Sequence, residues 1–401
     1  MLSSLAFIFI FGLAFAALCE RIRLPRILGM LATGIILGPY VLNLLDDSIL
    51  AVSSDLRQLA LIIILIKAGL SLNLSDLKKI GRPALMMSFV PACFEIVGYT
   101  LLAPKLLGVS YVEAALMGSV LAAVSPAVVV PKMVKLMDEG YGTDKGIPQL
   151  ILAGASLDDV FVIVLFTTFT GLAQGGSVSA LSFVQIPVSI VIGIAVGAVF
   201  GIVLSAFFEF CYKNNRYIRN STKVVIVLGL SFLLVSIENW LKGIIPMSGL
   251  LAVMSMALMI KMKCVPSVSS RLSQKFAKLW IAAEVVLFVL VGAAVDISYA
   301  SSAGIGVVIM IFAALAFRVV GVFFCVLGTK LEKKERLFCM IAYLPKATVQ
   351  AAIGSVPLSL GLPCGKLVLT VAVAAIIITA PLGAFGMDMT YKKFLKKSGE
   401  N

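Results

Sequence analysis

Two aspartates, Asp158 and Asp159, stand side by side inside the apolar stretch GASLDDVFV. Neighbours on a helix point about 100° apart, so the two carboxylates cannot both face lipid. A charge in hydrocarbon costs on the order of 3 kcal/mol unless it lines a wet cavity or meets a counter-charge. Such a pair can hold a hard cation or a proton on the same oxygens. At about 1.5 Å of rise per residue, Glu95, Arg318 and Lys346 fall at a similar depth, midway through their own apolar runs. The chain has no His, which excludes His proton relays, haem ligation by His and His-rich metal sites. Proton chemistry is left to carboxylates and lysine.

Prolines mark a second feature. SPAVVVP places Pro126 and Pro131 within one apolar run, and LPKATVQ places Pro345 beside Lys346 in another. Proline removes a backbone donor and clashes with the preceding turn, so both runs are expected to be interrupted. Broken helices at mid-membrane expose carbonyl and amide ends suited to ions. Two carboxylates supply too few oxygens for a small cation, so Ser125 and the backbone from Val124 to Pro126 are expected to add ligands.

The elements that position these groups follow from composition. Of 401 residues, 61% are hydrophobic and 13% charged, and the mean hydropathy is +1.10. That excludes a soluble enzyme and predicts an all-α polytopic membrane protein filling residues 1–401. Cutting at charges and Gly/Pro/Asn punctuation gives thirteen apolar runs, among them 56–74, 83–104, 112–134, 147–173, 279–297, 303–328 and 337–360. The first run lacks a basic leader and a convincing cleavage site, so it is expected to be a retained span. Most of the 33 Lys and Arg fall on alternate connecting segments, including Lys78, Lys79, Arg216 and the cluster from Lys392 to Lys397. The positive-inside rule then puts the N-terminus outside and the C-terminus in the cytoplasm. Only a few basic residues, such as Arg57 and Lys242, fall on the other side. The net charge of +13 is thus a topology signal and implies no nucleic-acid partner. The seven cysteines are scattered without CxxC spacing and read as packing residues.

AGLSLNLS at the end of the third run resembles VGAAVDIS at the end of the tenth, and Glu95 and Arg318 follow Gly69 and Gly292 at the same offset. A shift of seven spans reverses orientation. The chain is therefore expected to hold two inverted six-helix repeats, residues 1–173 and 223–401, joined by a linker helix within 174–222. Glu95 and Arg318 are expected to form a salt bridge, which would leave Arg318 unavailable to Asp158. Lys67 is expected to snorkel to the cytoplasmic face, Glu284 to lie near the cytoplasmic start of the tenth span, and Glu209, Glu238 and Asp296 to sit at run ends.

Together, SPAVVVPKM, the aspartate pair in GASLDDV and YLPKATVQAAIG resemble the NHA subfamily of the cation:proton antiporter superfamily. The resemblance covers nearly the whole chain. It implies about 13 transmembrane helices with crossed broken helices, and exchange of Na+ or Li+ for H+ by alternating access in a lipid bilayer. It also implies a homodimer and a part in pH homeostasis, with no cofactor. Carried over, Asp158 and Asp159 would bind cation and proton, the segments around Ser125 and Pro345 would cross, and Lys346 would compensate the helix ends or bond Asp158. Many relatives have Thr-Asp-Pro in the first broken helix, where this chain has Val124, Ser125 and Pro126.

Other classes fit less well. An intramembrane aspartyl protease needs two facing aspartates and a GxGD sequence. A passive channel should repeat around its pore axis. A K+/H+ antiporter or a sodium-coupled organic-anion symporter of the same architecture is the nearest alternative.

Overall fold

The structure, a computed structural model, describes residues 1–71, 81–174, 180–214, 218–241 and 247–398. Lys78, Lys79, Arg216, Lys242 and the end of AGLSLNLS lie outside the described residues. The helices are, in order, α1 (Leu2–Arg21), α2 (Arg26–Leu37), α3 (Asp47–Ala51), α4 (Ser53–Ser71), α5 (Arg82–Met87), α6 (Val90–Leu107), α7 (Tyr111–Leu121), α8 (Pro126–Glu139) and α9 (Ile147–Ala173). The second half continues with α10 (Ala180–Lys213), α11 (Asn220–Trp240), α12 (Gly249–Lys263), α13 (Pro266–Ala293), α14 (Ile297–Val326), α15 (Lys333–Ala342), α16 (Thr348–Gly354), α17 (Val356–Ser359) and α18 (Gly365–Phe394).

Each of the thirteen apolar runs holds a helix or an interrupted helix pair. Among the described residues, nine stretches are long and apolar enough to cross a membrane. The other four runs are α2, with 12 residues, the charge-bearing α4, α12, with 15 residues, and the interrupted α15–α16. The tenth run is longer than its hydropathy suggests. α13 starts at Pro266, and charges at Arg271, Lys275 and Lys278 do not stop a helix whose polar face can stay wet. Glu284 therefore lies well inside that helix and not near its start. Pro131 likewise sits inside α8 without ending it, so the expected break there is absent.

The chain divides into two compact units, one of Met1–Ser54, Asn73–Ala173 and Leu287–Asn401, the other of Asp55–Leu72 and Gln174–Val286. In the first unit, α6 packs along α14 and against α7, and α9 against α7 and α8. Two capping boxes start helices here. Ser110 and Glu113 bond each other's backbone N–H ahead of α7, and the Glu335 carboxylate accepts from the Glu332 N–H at 2.7 Å ahead of α15. The segment after α18 forms a strap on the turn between α8 and α9. Gly142 N–H donates to the Lys396 carbonyl and Ser398 N–H to the Gly140 carbonyl, each at 2.8 Å. Lys396 pairs with Glu332 at 2.7 Å and Lys145 with Glu335 at 2.8 Å. Lys396 first, then Lys145, hold the exposed Glu332 carboxyl below its ordinary range.

The second unit is built on close backbone approach. Gly193, Gly197 and Gly201 recur every fourth residue on α10 and face α12. A methyl at Gly197 would lie 2.1 Å from the Ala252 carbonyl oxygen, so the helices touch backbone to backbone. In α4 of this unit, Lys67 places its ammonium 5.7 Å from the centre of the Trp280 ring, a cation–π contact. Replacing Gly197 with Val should force these helices apart and lower stability by about 1–3 kcal/mol. A thermal melt in detergent checks this, and an unchanged midpoint would show that the close contact is not needed.

Candidate functional site

The site forms where two helices are interrupted. α7 ends at Leu121 and α8 begins at Pro126, leaving residues 122–125 non-helical. Pro126 takes the first helical position, where a missing N–H costs nothing, and Ser125 is its N-cap. In the second half, α15 ends at Ala342 and α16 begins at Thr348, with Pro345 in between. The two breaks meet, because the Ser125 N–H donates to the Pro345 carbonyl at 2.8 Å. So Pro126 and Pro345 do flank or occupy breaks, and Pro131 does not.

A broken helix in a dry interior leaves carbonyls that need donors. Here the donors come from the other half of the chain. Lys346 Nζ donates to the Leu121 carbonyl at 2.5 Å, Arg318 Nη1 to Ala122, and Gln350 Nε2 to Ala123 at 2.7 Å. Arg318 Nε also donates to the Tyr343 carbonyl in the second break, at 2.6 Å. Among the described residues, the Val124 carbonyl is the one in the first break that accepts no hydrogen bond. Its direction is fixed, since a trans peptide points C=O opposite to N–H and the Ser125 N–H is held by Pro345.

The charges form a chain. Arg318 Nη2 lies 3.1 Å from Asp158 Oδ2, Arg318 Nη1 lies 2.9 Å from Glu95 Oε2, and Lys346 Nζ lies 2.7 Å from Glu95 Oε1. All four side chains are at most 1% exposed. The expected Glu95–Arg318 pair is present, but two associated expectations fail. Arg318 does reach Asp158, because a planar guanidinium fork can serve two carboxylates at once. Lys346 pairs with Glu95 and not with Asp158, its short ammonium being occupied by that carboxylate and the Leu121 carbonyl.

Asp158 Oδ2 also accepts the Val124 N–H at 2.7 Å. Asp159, 8% exposed, is different: among the described residues it has neither an ion pair nor a hydrogen-bond donor. Asp158 Oδ1, Ser125 Oγ and Thr348 Oγ1 are further buried oxygens without a partner in this region. Hard oxygens with spare lone pairs, on α9, the first break and the start of α16, form a donor set that suits a small hard cation. Two cations against three carboxylates leave one negative charge uncompensated when all five are ionised.

Several participants were not singled out from sequence. Thr348 and Gln350 lie inside LPKATVQ, where Lys346 and Pro345 drew attention; their polarity in an apolar run was the available signal. Thr379, whose hydroxyl accepts the Lys346 N–H at 2.9 Å, has no such signal, because a lone Thr in α18 reads as filler. Tyr343 closes the group, its ring 5.5 Å from the Arg318 guanidinium.

A family model described as "Sodium/hydrogen exchanger, transmembrane" matches residues 5–392. The chain belongs to the sodium/hydrogen exchanger family. Among its relatives in that family, it is 35% identical over 388 residues to sodium/hydrogen exchanger 9B2 of Pongo abelii, covering 93% of this chain and 70% of that one. To sodium/hydrogen exchanger 9B1 of Homo sapiens it is 31% identical over 389 residues, covering 93% and 73%. Its fold is similar to that of the sodium proton antiporter MjNhaP1 from Methanocaldococcus jannaschii at pH 8, with a TM-score of 0.84, 21% identity and 97% of each chain covered. The multi-pass, all-helical architecture of this exchanger-family chain is thus shared well beyond close sequence likeness.

The buried ion pairs make a testable energetic claim. Removing one partner of a buried pair typically costs about 3–5 kcal/mol, mostly from the stranded charge. Glu95→Gln and Arg318→Gln should each lower the thermal midpoint in detergent, and the double variant should lose less than their sum. Strict additivity would show that the two residues act independently.

Proposed function

We propose that this chain exchanges a monovalent cation, Na+ or Li+, for a proton across a membrane by alternating access. The observation that carries the reading is the isolation of Asp159. Arg318 balances Asp158, Lys346 balances Glu95, and of these five described side chains Asp159 is left as the charge that a cation or a proton must neutralise in turn. Membership of the exchanger family supports the same chemistry. On this accounting one proton moves per cation and the exchange is electroneutral. The residues 1–173 and 223–401 are read as inverted repeats around a linker helix in 174–222. The N-terminus is outside, the C-terminus cytoplasmic, and two copies form a homodimer.

The mechanism follows from competition. A carboxylate must be deprotonated to bind a metal ion, so cation binding releases the proton and acid weakens cation affinity. In proteoliposomes, added Na+ should drive proton efflux without generating a membrane potential, and the apparent KM for Na+ should rise as pH falls. Asp159→Asn should abolish exchange. Robust exchange by that variant, or a KM indifferent to pH, would remove the claim; Li+ and K+ run beside Na+ define the cation.

Ser125 and the Val124 carbonyl are proposed as further oxygen ligands, with Thr348 beside them. Ser125→Ala removes a hydroxyl that has no partner among the described residues, so its loss should leave the thermal midpoint near its original value. The KM for Na+ should rise severalfold. An unchanged KM would make Ser125 only the cap of α8.

A further inference from the structure

Gln350 is fully buried on α16 and uses both ends of its amide. Its Oε1 accepts the Ala347 N–H at 2.8 Å in the second break, and its Nε2 donates to the Ala123 carbonyl at 2.7 Å in the first. The Ala123 carbonyl and the Val124 N–H belong to the same peptide unit. In a trans peptide they point in opposite directions, so gripping the oxygen aims the N–H. That N–H is the one that donates to Asp158 Oδ2 at 2.7 Å.

We propose that Gln350 is a positioning residue for ion exchange: by holding the Ala123 carbonyl it keeps the Ala123–Val124 peptide turned so that its N–H anchors Asp158 beside the cation site. The inference rests on the reading of Asp158 and Asp159 as the exchanging pair and extends it to a residue that touches neither ion nor carboxylate. Without Gln350, the Ala123 carbonyl loses its close donor. A peptide in non-helical backbone can then rotate, taking the N–H away from Asp158 and swinging the adjoining Val124 carbonyl. Arg318 alone would then hold Asp158. The neighbouring peptide between Pro345 and Lys346 is gripped in the same manner, its oxygen by the Ser125 N–H and its N–H by the Thr379 hydroxyl. Each break thus has one peptide fixed at both ends, and Gln350 is the side chain that fixes the one leading to the carboxylates.

Two variants separate positioning from support. Gln350→Met keeps the volume and removes both contacts. Gln350→Glu keeps the shape and the acceptor for Ala347, but when ionised it puts a buried carboxylate oxygen in place of the donor to Ala123, so that carbonyl is repelled and not gripped. In proteoliposomes of the full chain, both should raise the apparent KM for Na+ by about tenfold, the size expected for losing one hydrogen bond to a charged group. The maximal rate should fall less than the KM rises. In detergent, Gln350→Glu should melt below the original midpoint without Na+, because it buries a charge with no cation beside it, and should also show a smaller Na+-induced rise. A folded Gln350→Glu with the original KM and the original Na+-induced rise overturns the proposal, as does a fall in maximal rate at constant KM. If Gln350→Met does not fold, the Gln350→Glu result decides alone. Absence of Na+-driven proton flux in the unaltered chain would overturn the exchange reading and this inference with it; flux in the unaltered chain with an insensitive Gln350→Glu overturns the inference only.

Discussion

Backbone carbonyls freed by breaking a helix where no bulk water can reach them must be met by something, and that requirement organises the centre of this molecule. The end of α7 presents the carbonyls of Leu121, Ala122 and Ala123, and Lys346, Arg318 and Gln350 answer them. None of the three comes from the half of the chain that made the break. The second half supplies the side-chain donors to the first break, and the first half supplies the Ser125 N–H to the second, so neither interruption is satisfied by its own half alone. The pairing of Ser125 with Pro345 follows as the backbone part of the same arrangement.

Placing two cations on those carbonyls has an electrostatic cost, and Glu95 and Asp158 offset it. Arg318 makes four hydrogen bonds through its guanidinium, two to carbonyls and two to carboxylates. A buried arrangement of this kind is a poor source of net stability, since desolvation consumes much of the attraction. Its value lies in geometry and in charge balance. With Asp158 and Glu95 each matched, the state of the whole cluster depends on what sits at Asp159.

Much of this was legible in the sequence because membrane proteins carry few charges and each must be explained. The depth of Glu95, Asp158, Asp159, Arg318 and Lys346 followed from counting residues, and the Glu95–Arg318 pair from their matched offsets. The prolines pointed to the right segments, yet Pro126 and Pro131 differ in effect because only the first falls at a helix start, where sterics are permissive. Which carboxylate Lys346 would meet was not legible, since that depends on reach and angle across three helices. The roles of Gln350 and Thr379 were not legible for another reason: polarity marks Gln350 out in its apolar run, but both act by hydrogen bonds to backbone, and backbone atoms leave no trace in residue type. The N-terminal part of α13 is not legible from hydropathy, because its charges mark a wet face and not an end to the helix.

The strap after α18 places a chain segment on the unit that holds both breaks. Ser398 is tied by its N–H to Gly140 and by its hydroxyl to Asp144 at 2.6 Å, in the turn joining the first broken helix to the helix of the two aspartates. Lys396 reaches Glu332, just ahead of the helix that leads into the second break. A fluorophore or spin label at this strap is therefore anchored to the turn between α8 and α9 by backbone and ionic bonds and does not swing on a free tether. A label there reports on the segments that lead into the two breaks without any alteration at the breaks themselves.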